Sequence, residues 1–240
     1  MKKIIALTTI LLAGAIYIIQ RGVILQDQAY HNFADQRMIW GIPNFMDTMT
    51  NLAFIIFSGI GLIYTLKKPE KEGRFSWLTF FAGVFLVGFG SGYYHLEPND
   101  ATLIWDRLPM TIGFMGIFSA IVCEHVNFNF EKYFLVPLLI IGVLSVYVWV
   151  WTQDLRFYYY VQLAPMLIVP CMFFFFKSHY THSAYYLGAL FFYLAAKVVE
   201  HVDPPIYKAI GISGHSLKHI FAAIVAYIAY EMLKRRKAKV

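Results

Sequence analysis

Residues 76–96 read SWLTFFAGVFLVGFGSGYYHL, an apolar run that ends with Ser91 and His95. A stretch of roughly 20 such residues is what a helix needs to cross a bilayer. Ser91 and His95 are four apart and so share one helix face. A second such pair closes the chain, where His215-Ser-Leu-Lys-His219 also places two imidazoles on one face of a helix.

Composition extends this reading to the whole chain. Its 240 residues are 59% hydrophobic and 14% charged, whereas about a quarter of a soluble domain is charged. The fold class expected is an all-α integral membrane protein. The aromatic share of 18% fits rings at the lipid–water boundary. A net charge of +6 would point to nucleic acid in a soluble protein; here the basic residues mark membrane orientation, and no nucleic-acid partner is expected. Cys123 and Cys171 lie in apolar runs and are read as small buried residues, with no disulfide.

Seven spans are predicted near 46–66, 76–96, 106–124, 133–152, 157–176, 181–200 and 213–233. Before them, Ile4–Gln20 follows Lys2 and Lys3. Ala13-Gly14-Ala15 runs on into Ile16–Ile19 without a clean cleavage site, so this run reads as an uncleaved anchor. The expected architecture is a seven-transmembrane-helix bundle with one additional amino-terminal transmembrane helix. Its parts are an anchor (1–22), an extracytoplasmic segment (23–45), a seven-helix bundle (46–234) and a basic cytoplasmic tail (235–240). Asn44 suits a helix cap, Pro165 and Pro170 a kinked helix, and Gly88 and Gly92 close helix contact.

Lys and Arg concentrate in cytoplasmic segments. With both termini inside, 13 of the 20 basic residues are cytoplasmic, Lys71 among them, and five (Arg21, Arg37, Arg107, Arg156, Lys208) lie outside. His95 then ends one span, Asp106 opens the next and His215 opens the last, all towards the extracytoplasmic face. Ionisable groups at membrane depth are costly and mark functional interiors. Three imidazoles with water in a fourth position describe a catalytic zinc site. His95, His215 and His219 are therefore expected to hold a metal, with Asp106 and Ser91 beside it. Structural histidines, and a haem held by a histidine pair, stay open.

Gly90-Ser91-x3-His95, Asp106 eleven residues on, His215-x3-His219 and the run Phe45-Met-Asp-Thr-Met-Thr-Asn51 together resemble the alkaline ceramidase family, in a bacterial-type form. Its wider superfamily includes the adiponectin and progestin receptor-type proteins. The resemblance covers about residues 30–235. It implies a zinc-dependent amidase that splits ceramide into a fatty acid and a sphingoid base. By motif, His95, His215 and His219 become zinc ligands, Asp106 the acid/base partner and Ser91 a polar neighbour. Eukaryotic members bind calcium through acidic residues before the first core helix. Here that segment has few carboxylates, and Asn44 stands where a glutamate is expected, so calcium is left open.

The chemistry follows from the residues. Zinc lowers the pKa of its bound water to roughly 7 and polarises a carbonyl. Asp106 would carry the proton from water to the departing nitrogen, and Ser91 would support the carbonyl oxygen. The expected partner is a membrane lipid, ceramide-like or another N-acyl lipid, in a bacterial cytoplasmic membrane. Protein partners are not specified. The competing class is a seven-helix receptor or sensor with a structural zinc.

Other residues carry plainer readings. Lys197 and Glu200 form an ion pair; Lys218 points about 100° from His219 and snorkels. His201 and Asp203 are read as loop residues, and His31, His125, His179 and His182 as solvated. Trp149, Trp151 and Phe157–Tyr160 are read as an outer aromatic belt. Asp47 and Asn51 share a face and are expected to hydrogen-bond to the third or seventh core helix.

Overall fold

A computed structural model describes residues 2–68 and 72–239; Lys71, counted above among the inner basic residues, lies outside them. The described residues form helices and contain no strand. In chain order these are α1 (Lys2–Gln20), α2 (Phe45–Met49), α3 (Leu52–Lys67), α4 (Arg74–Leu96), α5 (Asp100–His125), α6 (Asn129–Thr152), α7 (Arg156–Phe175), α8 (Tyr185–His201), α9 (Asp203–Ile210) and α10 (Gly214–Arg235). With α2 and α3 taken as one span, seven helices are long and apolar enough to cross a membrane. These seven include α1; the sixth core helix, α8, has 17 residues and stands at the lower end of the length that crosses a bilayer.

The bundle is built around α5. Its apolar window is 72% buried, against 11% for α1, so α5 is the hub and α1 a peripheral helix. Small residues let α4 lie directly on α5. A Cβ added at Gly83 would sit 2.4 Å from the backbone nitrogen of Gly113, and one at Gly90 would sit 1.9 Å from the Trp105 carbonyl. No other residue fits at either crossing, which is how two apolar helices gain contact without a hydrophobic driving force. Along the α1 contact with α7, the Tyr160 hydroxyl donates to the Leu11 carbonyl (3.1 Å).

Several local expectations are corrected. α5 starts at Asp100, not near Asp106, because Asn99 caps it: the Asn99 side chain accepts from the Thr102 backbone while Thr102 accepts from that of Asn99. Asn44 makes no capping bond; it is left-handed at φ 46° and donates through Nδ2 to the His95 carbonyl, 2.8 Å away. Gly88 meets α3 closely, but nothing approaches Gly92. Trp149 is 1% exposed, with the Arg107 guanidinium 4.2 Å from its ring centre, so it is core and not belt. Pro165 and Pro170 do fall inside α7.

At the end of the bundle away from the histidines, Glu124 accepts from the Trp77 indole (2.8 Å), the Tyr186 hydroxyl (2.6 Å) and Arg236. Arg236 thus belongs to the core instead of a free tail. Beyond it, Lys239 donates its backbone N–H to the His179 carbonyl (2.8 Å) and Thr181 donates to Lys237 (2.9 Å). Breaking a buried ion pair such as Glu124–Arg236 costs about 3–5 kcal/mol, because one charge is left without compensation. His125, expected in solvent, is buried here against the Tyr186 ring.

Candidate metal centre

α4 brings His95 to one end of the bundle, and the first turns of α10 bring His215 and His219 to meet it. α10 starts where it does because the Ser213 side chain accepts from the Ser216 backbone N–H. Gly214 lets that start press against α8: a Cβ there would sit 2.1 Å from the Val199 carbonyl. The rings of His95, His215 and His219 form a nearly equilateral triangle, with centroid separations of 4.9, 4.9 and 4.8 Å. Their exposures are 0%, 4% and 1%. One nitrogen of each lies within 4.8 Å of the other two, and among the described residues this is the one such gathering of metal-ligating side chains.

The arrangement fits a metal ion. Two nitrogens bound to one tetrahedral zinc at about 2.0–2.1 Å stand roughly 3.3–3.4 Å apart. Nε2 of His95 and Nε2 of His219 are 3.3 Å apart. The tautomer of His219 suits the role as well. The Thr50 hydroxyl donates its proton to the Met46 carbonyl (2.8 Å), so its oxygen accepts from His219 Nδ1 (2.9 Å). The lone pair of His219 is then on Nε2, facing inward.

Supporting groups come from three directions. Asp203 is buried in the first turn of α9, not in a loop; it accepts from the His215 backbone N–H (3.2 Å) and from Ala34 N–H (3.0 Å). Asp47, fully buried, accepts from the hydroxyls of Ser213 (2.5 Å) and Ser216 (2.6 Å), which bears out its expected bond to the last helix. The Phe33 ring from the outer segment lies 4.6 Å from both the His95 and the His215 rings and covers them. His31 is paired and not solvated: it contacts the Tyr94 hydroxyl (2.8 Å) and Asp100 (3.1 Å).

Ser91 and Asp106 are 2% and 5% exposed, and the close approach of α4 to α5 at Gly90, against the Trp105 carbonyl and the Asp106 backbone nitrogen, sets the turns that carry them side by side. Asp106 and His219 line one cavity of about 130 Å³, whose walls are mostly apolar side chains of α5, α7, α8 and α10. Lys218 lines it too, in contrast to the snorkelling expected. Its Nζ is 2.7 Å from Glu200 and 3.4 Å from His215 Nε2. Lys197 and Glu200 pair as expected, at 3.0 Å.

The outer segment does not fit calcium, which takes six to eight oxygens. Between residues 23 and 45 the carboxylates are Asp27 and Asp35. Asp27 caps Ala29, and Asp35 is held by Arg37 (2.6 and 2.8 Å).

Sequence reasoning passed over Phe33, Thr50 and the placing of Lys218. Thr50 carried a usable signal, since it belongs to the polar run Asp47-Thr48-Met49-Thr50-Asn51 at the start of an otherwise apolar span. Phe33 carried none.

Fold and site together define a multi-pass helical membrane protein with a buried three-histidine centre that can hold a metal ion. Residues 31–196 match the family model described as Ceramidase, and the chain belongs to the ceramidase family. It is accordingly a ceramidase-like hydrolase. The match includes Ser91, His95 and Asp106; His215 and His219 lie beyond it and join the site through the fold. No curated protein sequence matches the chain.

Proposed function

We propose that the protein is a zinc-dependent membrane amidase that hydrolyses the amide of ceramide or a related N-acyl lipid to a fatty acid and an amine base. The observation that carries this reading is the shared cavity: Asp106 and an inward-facing histidine of the trio line one apolar pocket inside a ceramidase-family bundle. A divalent cation held by His95, His215 and His219 would supply Lewis acidity, making water a better nucleophile and a carbonyl a better electrophile.

The chain's own residues do the rest. Asp106 takes the proton released as water adds to the carbonyl carbon and delivers it to the departing nitrogen. Ser91, beside that carboxylate, orients it. The cavity walls hold the acyl chain and exclude bulk water, so the charge on Asp106 acts at low dielectric. Thr50 fixes the ring of His219, and Asp203 fixes the turn that carries His215. The excess of basic residues at the opposite end supports an extracytoplasmic site.

The test is fatty-acid release by the purified protein from ceramide and several N-acyl lipids, with and without a chelator. Chelator-sensitive release is expected. Metal-loaded protein that releases nothing from any lipid would leave the receptor-type reading, with a structural metal.

A further inference from the structure

Glu200 is shared. It accepts from Lys218 (2.7 Å), Lys197 (3.0 Å) and the Tyr30 hydroxyl (3.1 Å), so two ammonium groups meet one carboxylate. The charged residues lining the cavity are Asp106, Lys197 and Lys218. Under the amidase reading, on which this inference rests, Asp106 is occupied with the water and the leaving nitrogen. Whenever Asp106 holds the transferred proton, one positive charge is therefore left over beside the apolar pocket, shared between Lys218, whose side chain is 12% exposed, and Lys197, at 37%.

We propose that Lys218, backed by Lys197, determines specificity by binding a carboxylate on the substrate, and that the lipid taken is an N-acyl amino acid. Distance supports the assignment. In such a lipid three bonds separate the scissile carbonyl carbon from the carboxylate carbon, a span of roughly 3–4 Å by ordinary peptide dimensions. Lys218 Nζ lies 3.4 Å from His215 Nε2. A carbonyl presented to the histidines thus brings its neighbouring carboxylate to salt-bridge distance of the ammonium. A ceramide headgroup offers only hydroxyls and leaves the charge unanswered. The reaction is plain hydrolysis: the C–N bond breaks, the acyl carbon gains the water oxygen, the nitrogen gains a proton, and nothing is oxidised or reduced.

Binding separates this inference from the amidase reading, because it is measured on metal-stripped full-length protein that cannot turn over. The probes are N-dodecanoylglycine, its methyl ester, dodecanoic acid and a dodecanoyl ceramide. The acylglycine is expected to bind at least about tenfold tighter than its ester, the value of one charge-assisted hydrogen bond. Lys218→Met should erase that ratio while the ester's affinity holds within about twofold, and Lys218→Arg should keep part of it. Equal binding of acid and ester by the unaltered chain overturns the proposal. Tighter, Lys218-dependent binding of dodecanoic acid than of the acylglycine also overturns it, since the carboxylate pocket then serves the product. If the acid-to-ester ratio stands and no lipid is hydrolysed after metal is restored, the carboxylate site survives and the amidase reading fails.

Discussion

Nε2 of His95 and Nε2 of His219 face each other at 3.3 Å, although 124 residues separate them along the chain. Two neutral imidazoles gain at most one hydrogen bond from such a meeting. A shared cation satisfies both lone pairs and the third ring as well.

Removing His219 should therefore remove the metal. Elemental analysis of purified protein is expected to find about one zinc per chain, and His219→Ala and His95→Ala are each expected to fall close to background. Full occupancy in either variant would count against the centre.

The Thr50 hydroxyl allows a finer test. Thr50→Val keeps the shape of the side chain and withdraws the acceptor from His219 Nδ1. Loss of such a partner typically weakens metal affinity by about 10–100-fold. A chelator titration reads this directly, and an unchanged affinity would show that the ring is held by packing alone.

Asp106→Asn preserves volume but cannot take a proton. The variant is expected to keep its zinc and lose about 10²–10⁴-fold in turnover. Metal content and rate measured on one sample separate this outcome from misfolding.

Ala189 is 7% exposed and lines the cavity. Ala189→Phe should shorten the acyl chain accepted, since each methylene that no longer fits loses about 1–3 kcal/mol. Rates on a series of acyl lengths are expected to fall for the longest and hold for the shortest; a uniform fall would mean general damage.

The outer segment carries a pH-sensitive clasp. Hydrogen bonds from Arg37 hold the Asp35 carboxyl below its ordinary range. Because the folded value is the lower one, this contribution is complete above the ordinary carboxylate range and is lost as pH falls through the depressed value. Hydrogen exchange at residues 33–38 should accelerate across that acid window, and Arg37→Ala should abolish the step.

Much of this architecture could be read from residues alone, because a bilayer tolerates few options. Apolar runs gave the spans, and the cost of an imidazole at depth marked His95, His215 and His219. What escaped reading depends on which helices are neighbours. Lys218 was turned to solvent by an angle measured within its own helix, yet Glu200 on α8 waits at the same level. Trp149 was placed in an aromatic belt by composition, whereas Arg107 of α5 lies over its ring. Phe33 sits in a segment with no periodicity, so nothing in its surroundings announced that it covers two histidines.

The order in which the chain supplies the three imidazoles governs when the protein can act. His95 is synthesised early, and its partners arrive only with the final helix. A nascent polypeptide in which α10 has not yet been made thus owns one of the three imidazoles and cannot close the centre.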